Sequence, residues 1–132
     1  HHVTGDAATP VTSSEASARL TAARGRARRR PDHWTSVVDQ AIDAARLTGI
    51  SLLSTLKAQI GDLNKVKRIV RVFGMVNAVD TFTQHPKVIN GCSDLMVQVF
   101  GENGKHARCA VGMGSLPMNI SVEIEMIVEL KQ

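Results

Sequence analysis

From residue 35 onward the chain switches between two hydrophobic periods, and the switches mark its elements. Val38, Ala41, Ile42, Ala45, Gly49, Leu52, Leu53, Leu56 and Ile60 recur at the spacing of one helical face. Thr35 or Ser36 is suited to cap the start of this helix, and Gly61 stands where a C-terminal cap belongs. Lys67–Met75 (KRIVRVFGM) alternates and is rich in β-branched residues, which predicts a strand, with residues 77–85 as the loop after it. The helical period returns at Pro86, a residue suited to a first helical position. Its apolar stripe is Val88, Ile89, Cys92, Leu95, Met96, Val99 and Phe100, and Gly101 and Gly104 end it. Ala107–Met113 predicts a second strand and residues 114–119 a turn around Pro117. Ile120–Leu130 predicts a third strand. In it Ile120, Val122, Ile124, Met126, Val128 and Leu130 face one way, and Ser121, Glu123, Glu125 and Glu129 the other.

The order helix, strand, helix, strand, strand predicts an α+β sandwich with two helices on one face of a sheet. The other sheet face keeps apolar positions, Ile127 and some of strand 67–75 among them. In so small a domain such a face predicts packing against another subunit. Residues 1–34 differ in character, with Val3, Val11, Leu20 and Trp34 as their only large apolar residues. That is too little apolar area to offset ordering entropy, so the segment is expected to be poorly ordered and 35–132 to form the single domain.

Composition narrows the class. A hydrophobic fraction of 43% and a charged fraction of 21% are those of a soluble globular protein, and no apolar run approaches the roughly 20 residues of a membrane span. The polar N-terminus does not read as a secretory leader, and His1 and His2 read as the remnant of an affinity tag. Two cysteines, Cys92 and Cys109, are too few for a disulfide framework, which favours a cytoplasmic setting. The net charge of +4 is uneven: residues 1–34 hold six Arg against three acids, the remainder ten Lys or Arg against nine acids. The cluster Arg24, Arg26, Arg28, Arg29 and Arg30 lacks interleaved aromatics, so a nucleic-acid partner is not expected. His85 and His106 are too far apart and unsupported to suggest a metal site, and GMGS at 112–115 lacks the lysine of a phosphate-binding loop.

Arg108 and Glu123 are charged side chains in segments that otherwise look half-buried, which points to a ligand rather than a core. They lie within KVINGCSDL (87–95), HARCAVG followed by LP (106–117) and VEIE (122–125), and these stretches resemble the Rid, or YjgF-like, reactive-intermediate deaminases. The similarity runs over about residues 35–130. It implies a chorismate-mutase-like fold assembled as a homotrimer, with the sheets forming a central barrel and small carboxylates bound in clefts between subunits. Arg108 matches the family's substrate-binding arginine, and a guanidinium fork suits bidentate capture of a carboxylate. Glu123 matches a glutamate that holds water and passes protons, and Asn90 an asparagine lining the same cleft. Cys109, next along the strand from Arg108, joins the substrate-binding set.

The implied reaction is hydrolysis of a small 2-imino acid, the tautomer of an enamine, to a 2-oxo acid and ammonia. It requires no metal or organic cofactor. A non-catalytic trimer binding a small carboxylate in the same clefts is the rival reading, and an RNA-binding or RNA-cleaving relative is a third.

Overall fold

The computed structural model describes residues 37–132; the basic segment 1–34 and the capping positions Thr35 and Ser36 lie outside them. Helix α1 (Val37–Ile60) is followed by strand β1 (Val66–Asn77), helix α2 (His85–Phe100), strand β2 (Ala107–Met113) and strand β3 (Val122–Leu130). Gly61 closes α1 as expected, at φ +83, its N–H on the carbonyl of Lys57. Gly101 closes α2 in the same way through the carbonyl of Val97, and residues 101–104 make one tight turn before β2.

The sheet order is β2-β1-β3, with β1 parallel to β2 and antiparallel to β3. A parallel neighbour needs a crossover, and α2 provides it, lying on the same sheet face as α1. Paired residues project to one face, so the register assigns each side. Val72, Val76, Val122 and Ile124 turn toward the helices and are buried with Leu53, Ile69, Ile89, Leu95, Met96 and Val99. Fully burying each such side chain is worth about 1.5–3 kcal/mol, so this layer carries the fold. Phe73, Met75, Glu123 and Glu125 turn the other way, where Val111 and Ile127 stay exposed. At the far end Lys67 and Arg68 both bond Glu129, and these bonds hold its carboxyl below the usual range.

Two helices on one face of a mixed sheet is the architecture the pattern predicts. Four boundaries differ, one of them the start of β1 at Val66 instead of Lys67. The helix predicted from Pro86 starts one residue earlier, at His85. Strand β1 runs on to Asn77, because β2 and β3 flank it to that point. Strand β3 begins at Val122 rather than Ile120, since Met118 and Asn119 take left-handed backbone angles and break the extended run. Ile120 is consequently 42% exposed instead of facing the core.

Candidate functional site

Asn90 and Ser93 stand three residues apart on α2, one turn of the helix, and so share one side of it. Arg108 on β2 pairs with Val72 and therefore points to the helix side of the sheet. Because β2 is an outer strand, that position is not covered, and the guanidinium reaches α2 from the edge. Its Nη1 donates to Asn90 Oδ1 at 2.6 Å and to Ser93 Oγ at 3.2 Å. His106, two residues before Arg108, completes a chain of bonds. Its Nδ1 lies 2.7 Å from the carbonyl oxygen of Gly104 and its Nε2 2.9 Å from Ser93 Oγ. A carbonyl only accepts, so Nδ1 carries the hydrogen. In the neutral ring Nε2 then accepts from the Ser93 hydroxyl, whose oxygen accepts from Arg108.

Ser93, Asp94, Val97, Lys105, His106 and Arg108 line an open cleft of about 330 Å³. Lys105 is paired with Glu102 at 2.8 Å. No carboxylate among the described residues pairs with Arg108, and both of its bonds leave from Nη1. Its Nε and Nη2, the edge that can make two parallel bonds to a carboxylate, are uncommitted among these residues. The arrangement is an oriented cation beside a hydroxyl–imidazole pair. Beneath it, burial pushes the Cys92 thiol up to about 12 against the opposing charge of Arg108, so this sulfur is a neutral core atom.

Of the residues the sequence singles out, the single chain joins Asn90 to Arg108. Cys109 pairs with Phe73 and Glu123 with Met75, which places both on the sheet face away from the helices. Within one chain neither shares the side of Arg108. Ser93 and His106 were not singled out as site residues. Their signals were present: Ser93 follows Asn90 by three on a helix, and His106 precedes Arg108 by two along the same extended segment. In the sequence His106 stands out only beside His85 as a candidate metal ligand, and His85 instead stacks edge-on against Phe82 at 5.0 Å. Among the described residues no three His, Cys, Asp or Glu gather as a metal cluster, and no helix is long and apolar enough to cross a membrane.

Comparison with known proteins agrees with this layout. Residues 31–130 match the family described as YjgF/chorismate mutase-like, putative endoribonuclease. The protein TCP17 of Trypanosoma cruzi is 47% identical over 88 residues, which cover 66% of this chain and 55% of TCP17. The crystal structure of Atu1372, a protein of unknown function from Agrobacterium tumefaciens, superposes with a TM-score of 0.71 at 44% identity, covering 77% of this chain and 66% of that one. A putative endoribonuclease from Shewanella oneidensis gives a TM-score of 0.69 at 31% identity, covering 74% and 65%. The chain thus spans between about half and two-thirds of the length of these relatives. Because the family match spans residues 31–130 and the helix-on-sheet layers superpose on solved structures, the chain belongs to the YjgF/chorismate mutase-like family.

Proposed function

We propose that the protein is an imine deaminase that hydrolyses small 2-imino acids to 2-oxo acids and ammonia. The observation that carries this reading is the orientation of Arg108 by Asn90 and Ser93, which leaves one guanidinium edge open to a carboxylate in the cleft. An imine carbon is already electrophilic, so the chemistry asks for an anchored substrate, an oriented water and a route for protons. Water oxygen bonds the imine carbon and the π pair moves to nitrogen. The resulting carbinolamine collapses, releasing ammonia and leaving the carbonyl. No cofactor takes part.

Glu123 is proposed to hold the attacking water. It lies on the sheet face opposite Arg108, so it meets the substrate only if a second copy brings its open face to the cleft. Phe73, Met75, Val111, Met113 and Ile127 give that face an apolar part beside Arg71, Glu123 and Glu125, which supports a homotrimer with clefts between subunits. Cys109 belongs to the same face and is proposed to line the cleft from the neighbouring copy. Two unpaired thiols fit a reducing, cytoplasmic setting.

The family description and the Shewanella oneidensis relative's name favour ribonuclease activity as a second reading. Against it, residues 37–132 hold ten Lys or Arg and nine Asp or Glu, a near balance with little excess charge for a phosphate backbone. A binding module without turnover would use Arg108 in the same way.

The test is release of ammonia and 2-oxo acid from imines generated in situ by an amino-acid oxidase. Two charge-assisted bonds are worth roughly 3 kcal/mol together, so Arg108→Ala should lower kcat/KM by about 100-fold or more. Acceleration that the variant retains would overturn the reading. Tight binding of 2-oxo acids with no acceleration would favour the binding module, and cleavage of RNA with no effect on imines the ribonuclease.

A further inference from the structure

We propose that Ser93 and His106 form the proton-transfer pair of the Arg108 cleft, Ser93 facing the attacking water and His106 keeping the proton between the two halves of the reaction. The inference rests on the imine reading and deepens it. Imine hydrolysis moves a proton twice, off the water as it attacks and onto the amine as it leaves. The group that does this must lie within hydrogen-bond reach of the reacting atoms, directly or through one relay.

A second copy's Glu123 is proposed only to hold the water. In the chain that supplies Arg108, Glu123 lies on the opposite face of the sheet, so the proton route falls to that chain's own cleft residues. The cleft itself offers Asp94 and His106. Only His106 is bonded into the Arg108 network, and the carbonyl of Gly104 fixes which of its nitrogens faces Ser93. A base bonded to a hydroxyl and oriented by a third group is the arrangement that activates an oxygen for proton transfer. Arg108 contributes by occupying one lone pair of Ser93 Oγ, so that the hydroxyl hydrogen is directed at His106 and the other lone pair is turned to the cleft.

The step balances with no further reactant. As water oxygen bonds the imine carbon, Ser93 Oγ takes a proton from that water and passes its own to His106 Nε2. The imine enters as the iminium, so the addition leaves a neutral carbinolamine. As this collapses, the imidazolium returns its proton through Ser93 to the departing nitrogen, which leaves as ammonia, while the carbinolamine hydroxyl gives its proton to solvent as the carbonyl forms. His106 ends neutral and the hydroxyl is restored.

The experiment compares wild type, S93A, H106Q and H106A on imines generated in situ, with pyruvate binding measured by calorimetry as a probe of the carboxylate anchor. Loss of a proton-transfer group costs about 100-fold or more in kcat. H106Q should show that loss with KM and pyruvate affinity unchanged, because Asn90 and Ser93 still hold Arg108. S93A should lose far more in kcat than in pyruvate affinity, because the shorter bond from Arg108 to Asn90 remains. Free imidazole should restore turnover to H106A in proportion to its unprotonated concentration, a response that a merely structural histidine does not give. Variants that keep the wild-type kcat would overturn the inference and leave the imine reading standing. Loss of kcat and pyruvate affinity together would also overturn it, by showing that the pair only orients Arg108. A wild type inert toward every imine would overturn the imine reading and the inference with it.

Discussion

At the scale of single residues, burial separates the chemistry of the two sulfurs. Cys92 is wholly enclosed between the helices, and its thiol, pushed up to about 12, carries almost no thiolate at neutral pH. Cys109 stands exposed on the outer strand. Iodoacetamide at pH 8 should therefore label Cys109 in the folded protein and reach Cys92 only after unfolding, as read by peptide mass spectrometry. Equal labelling of both in the native state would show that the core beneath Arg108 is open. The assignment of Cys92 to the core is legible in the sequence, because it falls on the apolar stripe of α2. The bonds of Ser93 and His106 are not. Periodicity states which side of a helix a serine occupies, but a hydrogen bond depends on the distance between two elements, and no one-dimensional pattern carries that distance.

At the scale of elements, the cleft depends on how α2 is seated. A methyl group at Gly91 would overlap the carbonyl oxygen of Ile42 and lie 3.1 Å from the backbone nitrogen of Arg46, so the two helix backbones touch there. Arg46 then reaches across to Gln98 at 2.8 Å. Gly91→Ala should cost about 1–3 kcal/mol in denaturant unfolding, the usual penalty of overpacking. Because Asn90 and Ser93 flank Gly91, lifting α2 should also weaken pyruvate binding. A variant as stable as wild type would mean that the helices separate freely. Helix and strand identities were legible because each segment keeps one period for two turns or more. Boundaries were less so. The start of β3 is decided by left-handed angles at Met118 and Asn119, and a methionine announces no such angle.

At the scale of the whole molecule, the sheet has one face filled by helices and one open. The open face carries Ile127 at 47% exposure and Val111 at 37%, with Phe73 and Met75 between them. If it closes a trimer, sedimentation equilibrium should give three times the 14.2 kDa chain mass, and Ile127→Asp should shift the protein toward monomer while abolishing imine turnover. A wild-type monomer with full turnover would refute the shared cleft. The two-sided layering could be anticipated from the strand alternation, whereas the order β2-β1-β3 could not, since pairing is chosen by contacts far apart in sequence. That contrast bears on how the cleft comes into being. The bonds joining Asn90, Ser93, Gly104, His106 and Arg108 span 2 to 18 residues, while Lys67 meets Glu129 across 62. The entropy lost in closing a loop grows with its length, so the polar network needs only short closures within one helix–turn–strand unit. The cleft can therefore take shape as α2 folds back onto β2, before the long excursion that brings β3 to the other side of β1 is complete.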